Sequence, residues 1–402
     1  MLYPTQQEIL DQSQPNQLYA LGTSSGKTLI SIAHYHKYNE DKEPLLVVAP
    51  ASKIKTNDWP LEIERYCNAV GIEIDYDIIS YNKIAKHWQE YKGYFVIFDE
   101  CHMLKNPTSK RGKACFKLTQ YATHYCLLSA TPASNGWADC MNYFIMWGFF
   151  KNKTHFEREH AIFKRMQFGS NSFQKIVDYK DTDKLMKLYN AIAIQKPTEY
   201  FVDLPEVSER FVNISKPSQL YKVAKKDKVI DFKGQEVILD TQAKLSGALR
   251  YLTNQQEKLN YTKDLFESTN ENILIFTEFK RERDDLLDLA YECNKEIFEV
   301  TGSNNDLPSR MEWQDLRNAV TIVNYKAGAA GIELSYNDIV VFYTPTYSYQ
   351  DYIQAKGRAV RHKARPRITI LNYKTKGTIE SKVWQCLDEK KDFTNDLLEG
   401  FA

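Results

Sequence analysis

The stretch Tyr94-Phe-Val-Ile-Phe-Asp-Glu-Cys-His102 narrows the folds open to this chain more than any other. Phe95 to Phe98 is apolar without alternation, as in a strand buried on both faces, and it runs into two adjacent carboxylates, Asp99 and Glu100. Runs of similar length stand at Leu45-Leu-Val-Val-Ala49, Ile72 to Ser80 and Tyr125 to Ser129, separated by amphipathic stretches such as Lys27 to Tyr38 and Trp59 to Asn68. This alternation predicts a mostly parallel sheet with helices on both faces. Acids at the carboxyl end of such a strand lie where parallel sheets bind ligands.

A chain of 402 residues with 43% hydrophobic content exceeds one ordinary core, so two domains are expected. After about Phe149 the pattern changes. From Lys151 to about Leu259 the sequence is charged and helix-prone, broken by Pro197, Pro205 and Pro217, with no clear strand alternation. A second set of strands follows at Ile273 to Thr277, Phe298 to Val300, Val320 to Val323, Ile339 to Tyr343 and Ile368 to Leu371. The expected division is 1–210, a first lobe with a helical insertion after about 150, and 211–402, a second lobe that begins with a helical segment.

Seven scattered cysteines without a C-x-x-C pair argue against a disulfide framework and a zinc site. No signal-peptide layout opens the chain and no long apolar run crosses it, so a cytosolic protein without membrane contact is expected. The net charge of +1 leaves any nucleic-acid contact to local basic patches.

Upstream of the acidic pair lies Gly22-Thr-Ser-Ser-Gly-Lys-Thr28. A glycine-rich turn from strand to helix points N–H groups at phosphates, a Lys reaches the terminal phosphates, and a Ser or Thr hydroxyl holds magnesium. Gly22, Thr23, Ser24, Ser25 and Gly26 fit the turn, and Lys27 and Thr28 fit the last two roles, although the strict spacing would want Gly at Leu21. A phosphate–metal site needs one carboxylate for magnesium and another for water, which Asp99 and Glu100 would supply. The expected cofactors are ATP and Mg2+. Near the far end, Gln354-Ala-Lys-Gly-Arg-Ala-Val-Arg361 sets Arg358 and Arg361 three apart, on one face if the segment is helical.

The order of Lys27-Thr28, Asp99-Glu100-Cys101-His102 and Ser129-Ala130-Thr131 resembles the motifs of superfamily 2 helicases, most closely the Swi/Snf-type ATPases. The resemblance extends over Val47 to Ser52 with Asn57-Asp-Trp59 and Glu62, Ile78 to Tyr81, the Lys105-Asn-Pro107 that follows the acidic box, and Leu127 to Pro132 with Asn135. In the second half it takes in Leu274 to Thr277, Asn324 to Leu334, Gln354 to Arg361 and Lys376-Gly-Thr-Ile-Glu380. Ser24, Cys101 and Glu333 depart from the commoner Gly, Ala and Asn.

The resemblance implies an α/β fold of two tandem RecA-like lobes, each a mostly parallel sheet covered by helices, with helical insertions between them. It implies that Gln6 reads the adenine edge with Tyr3 beside the base, that Gly331 and Gln354 lie near nucleotide, and that Arg361 is the arginine finger with Arg358 beside it. His102, Ser129 and Thr131 would couple the nucleotide site to the strand. The halves would close over one ATP to drive movement along DNA. Basic residues Lys105, Lys110, Arg111 and Lys113, and Lys356, His362, Lys363, Arg365 and Arg367, could form the track. The function expected is a monomeric DNA-dependent ATPase, with DNA preferred to RNA and a replication or recombination protein as a further partner. A strand-separating DNA or RNA helicase and an ATP-gated clamp or loader are the alternatives. From the adenine segment to about 40 residues past Arg361 little room remains for another module, so a compact motor of a bacterial or phage setting is expected.

Overall fold

The computed structural model describes residues 1–402 except 135, 169–170, 233–234, 303, 326–331, 362–364 and 400–402, and backbone alone at 167, 168, 171, 232, 235, 242, 243 and 391–399. The chain divides into two compact units, Met1–Val202 together with Lys390–Ala402, and Asp203–Glu389.

In the first unit, strands β1 (Gln17–Leu21), β2 (Leu45–Ala49), β3 (Tyr76–Ser80), β4 (Phe95–Asp99) and β5 (Tyr125–Leu128) join one sheet. A hairpin, β6 (Ala161–Phe168) and β7 (Asn171–Tyr179), precedes β8 (Ala193–Lys196), which returns to that sheet. The order among the described residues is β3-β2-β4-β5-β1-β8, and every pairing is parallel. Because successive side chains point to opposite faces, each apolar strand feeds two cores. Leu46, Val48, Val96, Phe98 and Leu127 pack on one side, and Leu45, Val47, Phe95, Ile97 and Leu128 on the other. The unalternating sequence of β4 thus matches a strand covered twice.

The second unit has β9 (Glu206–Ile214), a small hairpin of β10 (Val229–Phe232) and β11 (Gln235–Ile238), and then β12 (Ile273–Thr277), β13 (Glu296–Val300), β14 (Ala319–Asn324), β15 (Ile339–Phe342) and β16 (Arg367–Thr375). Its large sheet runs β13-β14-β12-β15-β16-β9, again all parallel. The two six-stranded, helix-covered parallel sheets are two RecA-like lobes.

The segment from Lys151 to Leu259 differs from the helix-prone stretch expected. It contains helices, but also both hairpins, β8 and the whole of β9. The β6–β7 ribbon leaves Ile162, Phe163, Phe173 and Val177 exposed. With no buried face among its described residues, its sequence carries no two-residue alternation to read. β9 pairs along its full length with β16, from Glu206 opposite Arg367 to Ile214 opposite Thr375.

Candidate functional site

The parallel sheet of the first unit brings three loops to the carboxyl ends of β1, β4 and β5, with β5 lying between the other two strands. The loop after β1 is shaped by close backbone approaches. Gly22 N–H donates to the Lys196 carbonyl at 2.9 Å, and a Cβ on Gly22 would lie 2.4 Å from the Thr198 amide nitrogen. Thr23 Oγ1 stands 3.4 Å from Thr198 Oγ1. Ser24 and Gly26 both adopt left-handed backbone, φ +60° and +74°. A helix, Lys27–Tyr38, starts directly after Gly26 without a side-chain cap, so its first-turn N–H groups remain open to an anion.

Gln6 backs this loop. Its buried amide donates from Nε2 to the Ser25 carbonyl at 3.0 Å, while Oε1 accepts from the Tyr3 N–H at 2.9 Å. Tyr3 itself is exposed. Lys27 Nζ curls back to donate to the carbonyls of Leu21 (2.8 Å) and Gly22 (2.7 Å). Ser25 Oγ is buried without a hydrogen-bond partner. Thr28 sits half-buried in the first helical turn.

Asp99 ends β4 and Glu100 follows in left-handed backbone, φ +52°. The buried Asp99 accepts a hydrogen bond from the Trp59 indole at 3.0 Å, and its carbonyl accepts from Tyr81 Oη at 2.7 Å. Burial first, then the charge of Glu100, raises its carboxyl above the ordinary range, while Lys53, Trp59 and Lys27 oppose the shift. Burial would raise Glu100 too, but the hydrogen bond and charge of His102, with Lys27 and Lys53, pull it down to about 2. Cys101 is fully buried and burial pushes its thiol up, as befits a packing residue.

His102 joins the second and third loops. Its Nδ1 lies 3.1 Å from Glu100 Oε2 and 3.3 Å from Ser129 Oγ. Ser129 Oγ also accepts from the Thr131 N–H at 3.1 Å, and Thr131 Oγ1 is buried without a partner. Sequence reasoning missed the helix Trp137–Met146, which fastens the same two loops from behind. The single proton of Tyr143 Oη is shared between the carbonyls of Cys101 (3.2 Å) and Pro132 (3.1 Å), and Asn142 Nδ2 donates to the Leu104 carbonyl (2.6 Å). Asp139 accepts from Lys105 Nζ at 2.8 Å and from the Ser134 N–H at 2.9 Å. Trp59 was readable only as part of a motif and Lys53 was not singled out at all, since nothing in their spacing announces proximity to Asp99.

Within the second unit, Gln354 and Arg358 lie half-buried on the helix Tyr349–Ala359. The shared helical face expected for Arg358 and Arg361 does not form. The Arg358 carbonyl accepts from the Leu334 N–H at 3.1 Å and Val360 turns extended, so Arg361 stands beyond the helix. Arg361 Nε is buried without a hydrogen-bond partner. Glu333 accepts from Arg310 at 2.5 Å. Asn135, Gly331, His362 and Lys363 lie outside the described residues, as does most of the Asn324 to Leu334 stretch.

Several residues expected along a basic track are engaged within their own unit. Besides Lys105, Lys356 meets Glu209 at 2.5 Å, Arg365 meets Asp338 at 3.2 Å, and Arg367 meets Glu206 at 3.1 Å. Lys110 and Lys113 are exposed, and Arg111 is half-buried.

Residues 73–261 match the SNF2-related domain and residues 257–363 match the helicase conserved C-terminal domain. The chain is 26% identical over 406 residues to the SWI/SNF-related matrix-associated actin-dependent regulator of chromatin subfamily A-like protein 1 of Xenopus tropicalis, covering 91% of this chain and 41% of that protein. An uncharacterized ATP-dependent helicase of Mycoplasma pneumoniae is 22% identical over 410 residues, 93% of this chain and 39% of the relative. The chain thus spans about two fifths of the length of these relatives. Among solved structures, the Sulfolobus solfataricus SWI2/SNF2 ATPase core in complex with dsDNA aligns over 99% of this chain and 92% of its own, at 20% identity and a TM-score of 0.44. Among the described residues no helix is long and apolar enough to cross a membrane.

Proposed function

The chain belongs to the superfamily 2 Swi/Snf-type helicases, and from that premise we propose that it hydrolyses ATP in response to DNA and uses the turnover to translocate on or remodel that DNA. The observation that carries this reading is the convergence of the uncapped loop after β1 and the Asp99–Glu100 pair after β4 at one edge of a parallel sheet, with His102 and Ser129 between them.

The residues present fit a magnesium-bound nucleoside triphosphate. Ser25 Oγ and Thr131 Oγ1 are buried polar atoms in want of partners, and the open helix start beside Lys27 suits phosphate oxygens. Gly22, Thr23, Ser24, Ser25, Gly26 and Lys27 would hold the phosphates, and Thr28 and Asp99 the metal. Bound there, ATP supplies the phosphoanhydride and magnesium neutralises charge on its phosphates. Gln6 keeps the loop in shape through Ser25, and its place beside the loop is compatible with reading the adenine edge.

Glu100 stays ionised at neutral pH and so accepts hydrogen bonds from water. Its ionised carboxylate is placed to accept a hydrogen bond from, and so to orient, the attacking water. His102 carries the state of Glu100 to Ser129 and onward to Thr131. For the second unit we propose that Arg358 and Arg361 stabilise charge on the transferring phosphate, a role supported by family membership and by the unmatched Nε of Arg361.

ATP turnover measured against single-stranded, duplex, forked and RNA ligands tests the reading. Stimulation by DNA above RNA is expected. Turnover indifferent to every nucleic acid would sink it, and release of a strand from a tailed duplex would convert it to strand separation.

A further inference from the structure

On the flank of the first unit a cavity of about 510 Å³ opens beside the helix Lys110–Thr119. Its floor is apolar, built from Ala85, Trp88, Phe116 and Ile145. Its rim is cationic, carrying Lys110, Lys113, Lys117, Lys151 and Lys153, with no Asp or Glu among the described residues that line it. Lys110, Lys113 and Lys117 recur at three and four residues, so one helical face presents all three. Lys153 is partly shared with Glu157 at 3.4 Å, and Lys117 Nζ stands 5.6 Å from the centre of the Trp88 ring. Asn142 forms part of the inner wall. It is fully buried, its Nδ2 is spent on the Leu104 carbonyl, and its Oδ1 has no hydrogen-bond partner.

We propose that this cavity seats an acidic peptide segment of a partner protein, one that carries bulky apolar side chains among its carboxylates. The volume lies within the range of sites that enclose a compact ligand, and the floor rewards apolar anchors by removing their surface from water. Carboxylates on either side of the anchors meet the lysine rim, where opposite charge also speeds encounter. Duplex DNA is convex and charged along its whole length, and offers nothing to fill a concave apolar floor. Through the Asn142 hydrogen bond to the Leu104 carbonyl, this wall is one side chain removed from the Cys101–Leu104 turn that carries His102. The site stands apart from the phosphate loop and does not depend on ATP hydrolysis.

Fluorescence anisotropy with the intact chain tests the proposal. The probe is a labelled peptide of about 12 residues, Asp and Glu around two Leu and one Phe. Its controls are the same peptide with Ser at the apolar positions and an unlabelled single-stranded oligonucleotide of equal charge as competitor. Saturable binding is expected, weakened about tenfold or more by loss of the apolar side chains, by Lys117→Glu, and by Ala85→Trp, which fills the floor. Thermal melting of both variants is checked, and Lys117→Glu, being on the surface, remains informative if Ala85→Trp misfolds. The proposal is overturned by absence of binding below about 1 mM, by equal binding of the Ser-substituted peptide, by displacement with the oligonucleotide, or by an unchanged Kd in well-folded Lys117→Glu.

Discussion

The indole of Trp59 donates to the carboxylate of Asp99 across 3.0 Å, and both side chains are buried. A residue 40 positions upstream therefore fixes the orientation of the carboxylate we propose as a magnesium ligand. Trp59→Phe keeps most of the bulk and deletes the donor. The expected cost is about 1–3 kcal/mol of stability, the range for leaving a buried polar group unmet. Because a freer carboxylate holds metal less well, half-maximal binding of a fluorescent nucleotide should also need more magnesium. Urea unfolding and a magnesium titration of nucleotide binding measure the two effects, and an unaltered titration would reduce Trp59 to packing.

The acidic pair should respond oppositely to neutralisation. Glu100 titrates lower in the folded protein than in an unfolded chain, so it contributes stability above its ordinary range that fades as pH falls toward about 2. Asp99 titrates higher when folded, so its ionised form opposes folding at neutral pH and protonation relieves it. Asp99→Asn should raise the melting temperature at pH 7, and Glu100→Gln should lower it. Both should abolish ATP turnover. Melting curves at pH 7 decide the signs, and the same sign for both variants would refute the assignment.

Loop geometry makes two glycine-related substitutions diverge. Gly22→Ala drives a Cβ to within 2.4 Å of the Thr198 backbone nitrogen, which cannot swing aside. Nucleotide binding should fall at least tenfold while circular dichroism stays native. Ser24→Gly removes a side chain from left-handed backbone at φ +60° and should stabilise the protein by about 1 kcal/mol. Equilibrium unfolding reads the second effect, and destabilisation by Ser24→Gly would count against the loop conformation.

Tyr143 bridges two loops with one hydroxyl. Tyr143→Phe removes the one donor that the Cys101 and Pro132 carbonyls share and should cost about 1–3 kcal/mol. If the bridge couples the acidic box to the Ser129 loop, the ratio of DNA-stimulated to basal ATPase should drop more than the basal rate. An unchanged ratio would confine Tyr143 to structure.

In the second unit Lys258 and Glu380 form a fully buried ion pair at 2.5 Å, with Lys258 also donating to the Tyr343 carbonyl and Glu380 accepting from the Thr375 N–H. Lys258→Met strands a buried carboxylate and should cost about 3–5 kcal/mol. Lys258→Met with Glu380→Leu should recover much of that loss, which urea unfolding of the double and single variants checks.

The central strands β2, β4 and β5 were legible because each is an apolar run buried on two faces, and β4 ends in two adjacent carboxylates. The phosphate loop, Asp99 and Glu100 could be read in order along the chain. The hairpin β6–β7 could not, since exposed Ile162 and Phe163 are neighbours rather than alternates. The end of the helix at Ala359 was hidden because its cause, the Leu334 N–H, lies elsewhere in the chain. Lys105, Lys356 and Arg365 looked like free cations because Asp139, Glu209 and Asp338 are distant in sequence. Contacts of that kind belong to the packed chain and leave no local signature.

β1 owes its outer neighbour, β8, to residues that lie far along the chain: Leu18 is level with Ala193 and Tyr19 with Ile194. The loop that follows β1 is tied down by Lys196 and Thr198. A ribosome that has made Gly22 must still add some 175 residues before those anchors exist, which takes roughly 10–35 s at ordinary elongation rates. The nascent first unit is therefore committed to a long interval in which its phosphate loop has been synthesised but has nothing to rest on, and nucleotide can serve as a ligand for folding only once that interval has closed.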